Sequence, residues 1–421
     1  MLIEFSVENY RSISERQTLS MVAQKSRDNN DNVMPLDDSG KVDIVRSAAI
    51  YGPNAAGKSN LVRAITTMAD IIVHSATMTN TPDKIPVTPF MLDSKFTNSP
   101  SEFEIIFSFE GVRYQYGFST TDEKILAEWL FAFPKGRLQR WFTRMWDNEK
   151  NEYEWELGNS LVGEKQTWVK ATRSNALFLS TAVQLNSKQL SPVYNWFYYK
   201  LKYTELAGWN DDYTSRQCFK DGSEEILRFL KAADVGIDDI QVKKEKFNPN
   251  SLPDDMPQEF KDLITKQWQG KDSYIVKTLH KGADGNLVAF DLDEESEGTR
   301  KIFNFAGPLN HSLKEGNVII IDELNDNLHP KLVEFIVNLF NNPLTNKNNA
   351  QLIFTTHETS ILSQDVFRRD QVWFVEKDTD NTTKLFPLSD FSPRKGRENL
   401  ETAYLEGRYG ALPIIKKLEK M

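Results

Sequence analysis

The chain has 421 residues, 39% of them hydrophobic and 26% charged, with a formal net charge of −9 and a single cysteine, Cys218. That is a globular composition, long enough for two or three domains or for one domain carrying a large insertion. No stretch nears the roughly 18 apolar residues of a membrane span, no basic-then-apolar leader opens the chain, and one cysteine allows no intrachain disulfide, so the expectation is a cytoplasmic protein without a membrane partner.

Residues 1–7 alternate and predict a first strand, with a turn at ENYRS (8–12). Residues 25–43 are polar and read as a loop. VRSAAIY (45–51) predicts a short buried strand, and the spacing of Leu61, Ile65, Met68 and Ile72 predicts a helix after it. SEFEIIFSFEGVRYQYGFST (101–120) alternates about Glu110-Gly111 and predicts a hairpin. KILAEWLFAFP (124–134) predicts a further strand. Three basic stretches, KGRLQRWFTR (135–144), KKEKF (243–247) and RKGR (394–397), read as solvated surface or hairpin rather than as a nucleic-acid patch.

From about 160 to 285 the character changes. Aromatic and polar residues mix in 191–213, and the aromatic cluster at 194–204 reads as core. SEEILRFLKAADVGI (223–237) predicts a helix, and no heptad is sustained. Residues 287–313 return to strand, acidic loop and helix. GNVIIIDELNDNLHP (316–330) is an apolar strand ending in two acids, and AQLIFTTHETSIL (350–362) is a second, ending in a histidine. DQVWFVEKD (370–378) and TKLFPLSDF (383–391) predict closing strands. Apolar strands alternating with helices predict a mostly parallel α/β core.

The strongest signal is GPNAAGKSN (52–60). Gly52, Gly57, Lys58 and Ser59 complete G-x-x-x-x-G-K-[ST] between a predicted strand and a predicted helix. The glycines let backbone N–H groups of Gly52, Asn54, Ala55, Ala56 and Gly57 curl around phosphates, with Pro53 shaping the loop, and the helix beginning at Lys58, Ser59 and Asn60 aims its positive end at the same anion. Lys58 adds a cation at the β and γ phosphates of ATP, and the Ser59 hydroxyl is a ligand for Mg2+. At the tip of VIIID, Asp322 is the expected second Mg2+ residue and Glu323 the general base toward water. His357 ends another apolar strand, 35 residues after Asp322 (357 − 322 = 35), and is expected at the same sheet edge, touching the γ-phosphate or the attacking water.

These motifs, with SEGTR (296–300) and LNDNLHP (324–330), resemble in their order the ABC-type ATPases of the RecF/SMC group. The resemblance implies an α/β, ABC-type P-loop ATPase fold with a β-rich N-terminal lobe, a mostly parallel core sheet and a largely helical insertion. The implied boundaries are 1–160 for the P-loop lobe, 161–285 for an insertion that recognises a partner or trigger, and 286–421 for the lobe holding signature, acids and histidine. It implies that Ser296, Gly298 and Thr299 cap the γ-phosphate held by a second subunit, so that a homodimer or larger assembly closes on ATP. It also implies that LNDNLHP crosses that interface, and that Asn9, Arg11 and Ser12 lie against the nucleotide. Asn325 and Asp326 exchange the residue types usual in that loop. Gln115 is a weak candidate for the loop glutamine of the group, and the loop around Phe90 is better spaced.

Within the group, FSVENYRSI, YGPNAAGKSNLVRAI, SEGTRKIF, IDELNDNLHPKLVEFIVNLF, IFTTHETSIL and YLEGRYGALP are similar to RloA/AbiLi-type ATPases of abortive-infection loci, with the PARIS defence ATPase a near relative. The likeness implies an antiphage switch that senses a phage protein or nucleic acid. It further implies control of a separately encoded, Toprim-like nuclease effector, since no Toprim segment is evident in this chain. The alternative is a RecF/SMC-like DNA-repair or chromosome ATPase that binds DNA directly.

Overall fold

The computed structural model describes residues 1–26, 28–37, 40–77, 84–203, 209–249, 256–268, 270–393 and 398–413. The basic stretch 394–397 lies outside them. The chain divides into two compact units: Met1–Thr204 with Leu313–Asp326 and Ile336–Met421, and Glu205–Ser312 with Asn327–Phe335.

The first unit contains a six-stranded sheet in the order Leu201–Tyr203, Val318–Ile321, Gln351–Thr355, Ser47–Tyr51, Val372–Lys377, Thr383–Pro387. The first five strands are parallel and the last is antiparallel. Every residue of Ser47–Tyr51, Val318–Ile321 and Gln351–Thr355 is buried, as a sheet covered on both faces requires. The acidic strand does not lie beside the P-loop strand. The structure instead inserts Gln351–Thr355 between them, so the histidine strand touches both.

A second sheet of seven antiparallel strands runs Glu152–Leu157, Gln139–Asp147, Ile125–Phe133, Val112–Thr120, Ser101–Phe109, Leu2–Glu8, Gln17–Ser20. Its hairpin at Glu110-Gly111 has positive φ at both residues, 51° and 75°, which matches the right-handed twist of the flanking strands. Phe103, Ile105 and Phe107 point inward and join Leu61, Ile65, Met68 and Ile72 of the helix Lys58–His74 in one core. The basic stretch 135–144 leads into and begins one of the sheet's outer strands. Its Arg144 is 1% exposed and pairs with the fully buried Glu128 at 3.0 Å, while Glu128 also accepts the N–H groups of Phe178 and Leu179.

Residues 161–204 therefore belong with the P-loop lobe, and the expected boundary at 160/161 moves to 204/205. The reason is packing. Trp196 stacks on Phe107 with centroids 4.3 Å apart, and Leu201–Tyr203 completes the parallel sheet. The aromatic cluster read as core is only half so: Trp196 and Phe197 are buried, whereas Tyr198 and Tyr199 are 50% and 58% exposed.

The second unit holds the helices Asp211–Asp221, Glu224–Ala232 and Gln258–Trp268, most of the helix Glu297–Glu315, and an antiparallel sheet of Asp239–Lys246, Asp272–Lys281 and Leu287–Asp291. Beside its helices, the insertion expected to be largely helical carries this three-stranded sheet. KKEKF lies mainly in the first of these strands, where Lys244 and Lys246 pair with Asp272, a solvated face as the sequence suggested. Cys218 is buried, and burial pushes its thiol up to about 12, which makes it an inert structural residue.

Candidate nucleotide site

The strand Ser47–Tyr51 delivers Gly52 to the C-terminal edge of the parallel sheet. Gly52 sits so close to the neighbouring strand that a Cβ would fall 2.2 Å from the Val375 carbonyl oxygen. Gly57 has φ 112°, and its Cβ would meet Thr383 Oγ1 at 2.2 Å and Ser12 Oγ at 2.9 Å. Only glycine fits either place. Gly57 is also the N-cap of the 17-residue helix Lys58–His74 and has no side chain to cap it. The first-turn N–H groups are left for an anion.

Lys58 is 5% exposed. Its ammonium donates to the Gly52 carbonyl at 2.8 Å, to the Pro53 carbonyl at 3.2 Å and to His357 Nε2 at 2.9 Å. Three acceptors use all three of its protons. Burial pulls its pKa down to about 8, partly offset by Glu323 and Asp322. Burial and the adjacent Lys58 charge likewise hold His357 below the usual imidazole value. His357 is therefore neutral at pH 7, with Nε2 as acceptor and the proton on Nδ1.

Thr355, last residue of the histidine strand, joins the two acids. Its hydroxyl donates to Asp322 Oδ1 at 2.6 Å and accepts the Glu323 N–H at 2.7 Å. Glu323 has φ 53°, in the left-handed region, and its carboxylate stands exposed at the sheet edge. Such a backbone costs a non-glycine residue on the order of 1 kcal/mol and persists where the surroundings impose it. Asn325 then turns back to the histidine: its Oδ1 accepts from Thr356 Oγ1 at 2.9 Å and from the His357 N–H at 3.1 Å. The exchanged residue of the LNDNLHP loop is a fastener for the His357 turn.

The N-terminal turn does meet the P-loop. Asn60 donates to Ser12 Oγ at 2.7 Å, Ser12 Oγ lies 2.8 Å from Thr383 Oγ1, and Thr383 Oγ1 donates to the Ala56 carbonyl at 2.8 Å. Arg11 extends from a positive-φ position, with its Nε on Tyr10 OH at 3.2 Å. Asn9 behaves differently. It is 1% exposed, donates to the carbonyls of Phe96 and Ser99 at 2.8 Å each, and accepts the Phe90 N–H at 2.9 Å. Its side chain shapes the turn and has little left for a ligand. The same bond brings the loop around Phe90 to the turn, whereas Gln115 spends its amide on Glu104.

Thr355 and Thr383 were not singled out by motif. A threonine after three apolar strand residues is a faint clue to the first. Thr383 carries none, because its partner Ala56 is 327 positions away.

In the second unit Ser296 is exposed and caps the helix Glu297–Glu315, accepting the Thr299 N–H at 3.1 Å and lying 2.9 Å from Thr299 Oγ1. Gly298 approaches the next motif: a Cβ there would stand 3.3 Å from the Asn327 carbonyl oxygen. Glu295, the preceding residue, receives the Thr278 hydroxyl at 2.5 Å and lies 2.6 Å from His280 Nε2.

A nucleoside triphosphate fits the first-unit residues: an uncapped helix start, a buried ammonium and a neutral imidazole converge at one sheet edge. The Ser59 hydroxyl and the Asp322 carboxylate supply the hard oxygen donors that Mg2+ takes. When bound, the metal would neutralise charge on the phosphates.

A family model described as "AAA domain, putative AbiEii toxin, Type IV TA system" matches residues 47–363, from the P-loop strand through His357 and well over half the chain. No curated protein matches. Solved structures similar to the chain include the SMC head domain from Thermotoga maritima, with a TM-score of 0.40, 12% identity and coverage of 92% of this chain and 98% of that one. An SMC head bound to the C-terminal winged-helix domain of ScpA follows at 0.38 and 12%, with coverage of 92% and 97%. The recombination mediator RecF with an ATP analogue stands at 0.38 and 12%, with coverage of 92% and 98%. Likeness at that level carries no argument about what this chain does. Among the described residues, no helix is long and apolar enough to cross a membrane.

Proposed function

The chain belongs to the AAA-domain family described as AbiEii-type, and from that premise we propose that it is a Mg2+-dependent ATPase acting as a dimeric switch in antiphage defence, controlling a separately encoded nuclease-like effector. The observation that carries the ATPase reading is the convergence of Lys58, Asp322, Glu323 and His357 through the single residue Thr355 and the 2.9 Å lysine–histidine contact. Lys58 neutralises the terminal phosphates, Ser59 and Asp322 hold the metal, and Glu323 takes the proton of the attacking water. His357 accepts a hydrogen bond in the free site and, through Nδ1–H or a changed tautomer, can donate one to the γ-phosphate. The switch reading is supported by the exposed, helix-capping Ser296, the residue that on this reading recognises a γ-phosphate presented by a second copy. ADP lacks that group, so the closed state would be favoured by ATP alone.

The test has two arms. Steady-state hydrolysis by the parent protein should vanish in Glu323→Gln, and sedimentation should show that variant doubling its mass with ATP and Mg2+ but not with ADP. Unchanged mass in ATP overturns the dimer. Unchanged turnover in the variant overturns the assignment of Glu323. Coexpression with a candidate nuclease effector should be toxic during infection with the parent protein and harmless with Lys58→Ala.

A further inference from the structure

The outer face of the seven-stranded sheet carries an arrangement that the nucleotide site does not use. Glu8, Glu102, Ser119, Ala127 and Met145 are direct partners on successive strands, so they form one row across the sheet. Four strand spacings of about 4.8 Å give a row roughly 19 Å long. Two acids stand at one end, small residues in the middle, and Met145, 63% exposed, at the other end. Beside the small residues Trp129 lies flat on Gly117, where a Cβ would fall 2.4 Å from its ring. The result is a trough. One cavity of about 340 Å3 holds Ala127, Trp129 and Met145, a second of about 240 Å3 holds Glu8, and they share Pro100, Glu102 and Ser119.

Like charges placed directly opposite on paired strands destabilise a sheet. Arg16 answers only part of this. Its guanidinium reaches Glu102 at 2.7 Å and Glu104 at 2.5 Å, and Glu104 also accepts from Trp129 Nε1 and Gln115. Among the described residues Glu8 has no cationic partner, although it is half-buried. Lys95 at the rim lies over the Phe96 ring at 5.0 Å, and Glu15 is taken by Lys384 at 2.6 Å. Burial, with Glu8 and Glu104 nearby, raises the Glu102 carboxyl above its ordinary value despite Arg16. Local rules are broken in this way at sites kept for a partner.

We propose that this trough docks an extended segment of a partner protein, with a lysine or arginine head between Glu8 and Glu102 and an apolar side chain four residues along seated on Trp129 and Met145. The spacing follows from geometry. Residues i and i+4 of an extended strand share a face about 13 Å apart, close to the three strand spacings, about 14 Å, between the middle of the acid pair and the middle of the Ala127–Met145 end. A cationic head supplies the missing counter-charge, and the apolar residue covers surface now open to water.

Fluorescence anisotropy on the full chain tests this, with labelled 12-residue probes in a Ser/Thr background. A probe carrying Arg-x-x-x-Leu should bind, and Glu-x-x-x-Leu and Arg-x-x-x-Ser should bind at least tenfold more weakly. Glu8→Gln with Glu102→Gln, and separately Met145→Ser, should each weaken the first probe at least tenfold. Without any probe, Glu8→Gln should raise Tm, because it removes a repulsion. The proposal is overturned if the three probes bind alike, if none binds, or if the glutamine variants bind as the parent does. It is also overturned if Mg2+ or Ca2+ alone raises Tm of the parent but not of Glu8→Gln, which would make the acid pair a cation site.

Discussion

Lys58 Nζ and His357 Nε2 stand 2.9 Å apart, a cation held against a neutral ring that terminates the neighbouring strand. With its pKa at about 8, Lys58 is charged at pH 7 in a place that burial penalises. A lysine whose folded pKa is depressed costs stability below that pKa, and the cost fades as pH rises from about 8 toward its ordinary value near 10.4. Lys58→Met should therefore raise the stability of the nucleotide-free protein at pH 7 by about 1–2 kcal/mol, after losing its hydrogen bonds to the Gly52 and Pro53 carbonyls. The gain should shrink by pH 10. Thermal melts at the two pH values check it, and the same variant should not bind ATP. Because His357 is held below its usual value, its protonation should not limit hydrolysis by the parent at pH 7, and turnover should fall as acid protonates the ring.

Glu323 is caught between backbone and chemistry. Its φ of 53° suits glycine, while its carboxylate is the proposed base at the sheet edge. Glu323→Gly should raise stability by about 0.5–1 kcal/mol and abolish turnover, a trade of stability against activity. Chemical denaturation and a phosphate-release assay measure the two sides. A loss of stability in the glycine variant would mean that the carboxylate, and not the backbone, is what holds this turn.

Much of this site was legible because its chemistry is contiguous. Gly52 to Ser59 is one loop, and Asp322 and Glu323 follow four apolar residues that could only be a buried strand. The hairpin at Glu110-Gly111 was legible for the same reason. What could not be read depends on topology. The acid strand lies two places from the P-loop strand, and nothing in either segment records that the histidine strand intervenes. Leu201–Tyr203 is too short and too polar to announce a core strand, yet pairing with Val318–Ile320 makes it one. Arg144 read as a surface charge because Glu128, its buried partner, sits 16 residues earlier in another strand (144 − 128 = 16).

Asn325 tests whether the exchanged LNDNLHP loop changes mechanism or only spelling. Its role in the structure is that of an acceptor, for Thr356 and for the His357 N–H. Aspartate offers the same oxygen, so Asn325→Asp should keep hydrolysis within about threefold of the parent. Asn325→Ala leaves a hydroxyl and an N–H without their acceptor, which costs about 1–2 kcal/mol and should lower kcat at least tenfold as the His357 turn loosens. If alanine and aspartate behave alike, the side chain does not fasten the histidine.

Glu295 concerns the other half of the proposed ATP sandwich. It is fixed by Thr278 and His280, both on the strand Asp272–Lys281, and it immediately precedes Ser296. Movement of that strand would reach the serine that caps the helix through two side-chain contacts to Glu295 and one peptide link. Glu295→Gln keeps the length but weakens both contacts, since a neutral amide accepts less strongly than a carboxylate. Ser296 would then be less well placed for a γ-phosphate, while the phosphate cradle of Gly52 to Ser59 is untouched. The expected result is separable: binding of ATP to the single chain, read by fluorescence of a labelled nucleotide, stays within about twofold. Dimerisation in ATP and kcat should both fall by about tenfold. Ser296→Ala should show the same pattern, and combining the two should add little, because both act on one position. A Glu295→Gln protein that weakens nucleotide binding itself would place Glu295 in the fold of the whole lobe rather than behind the serine.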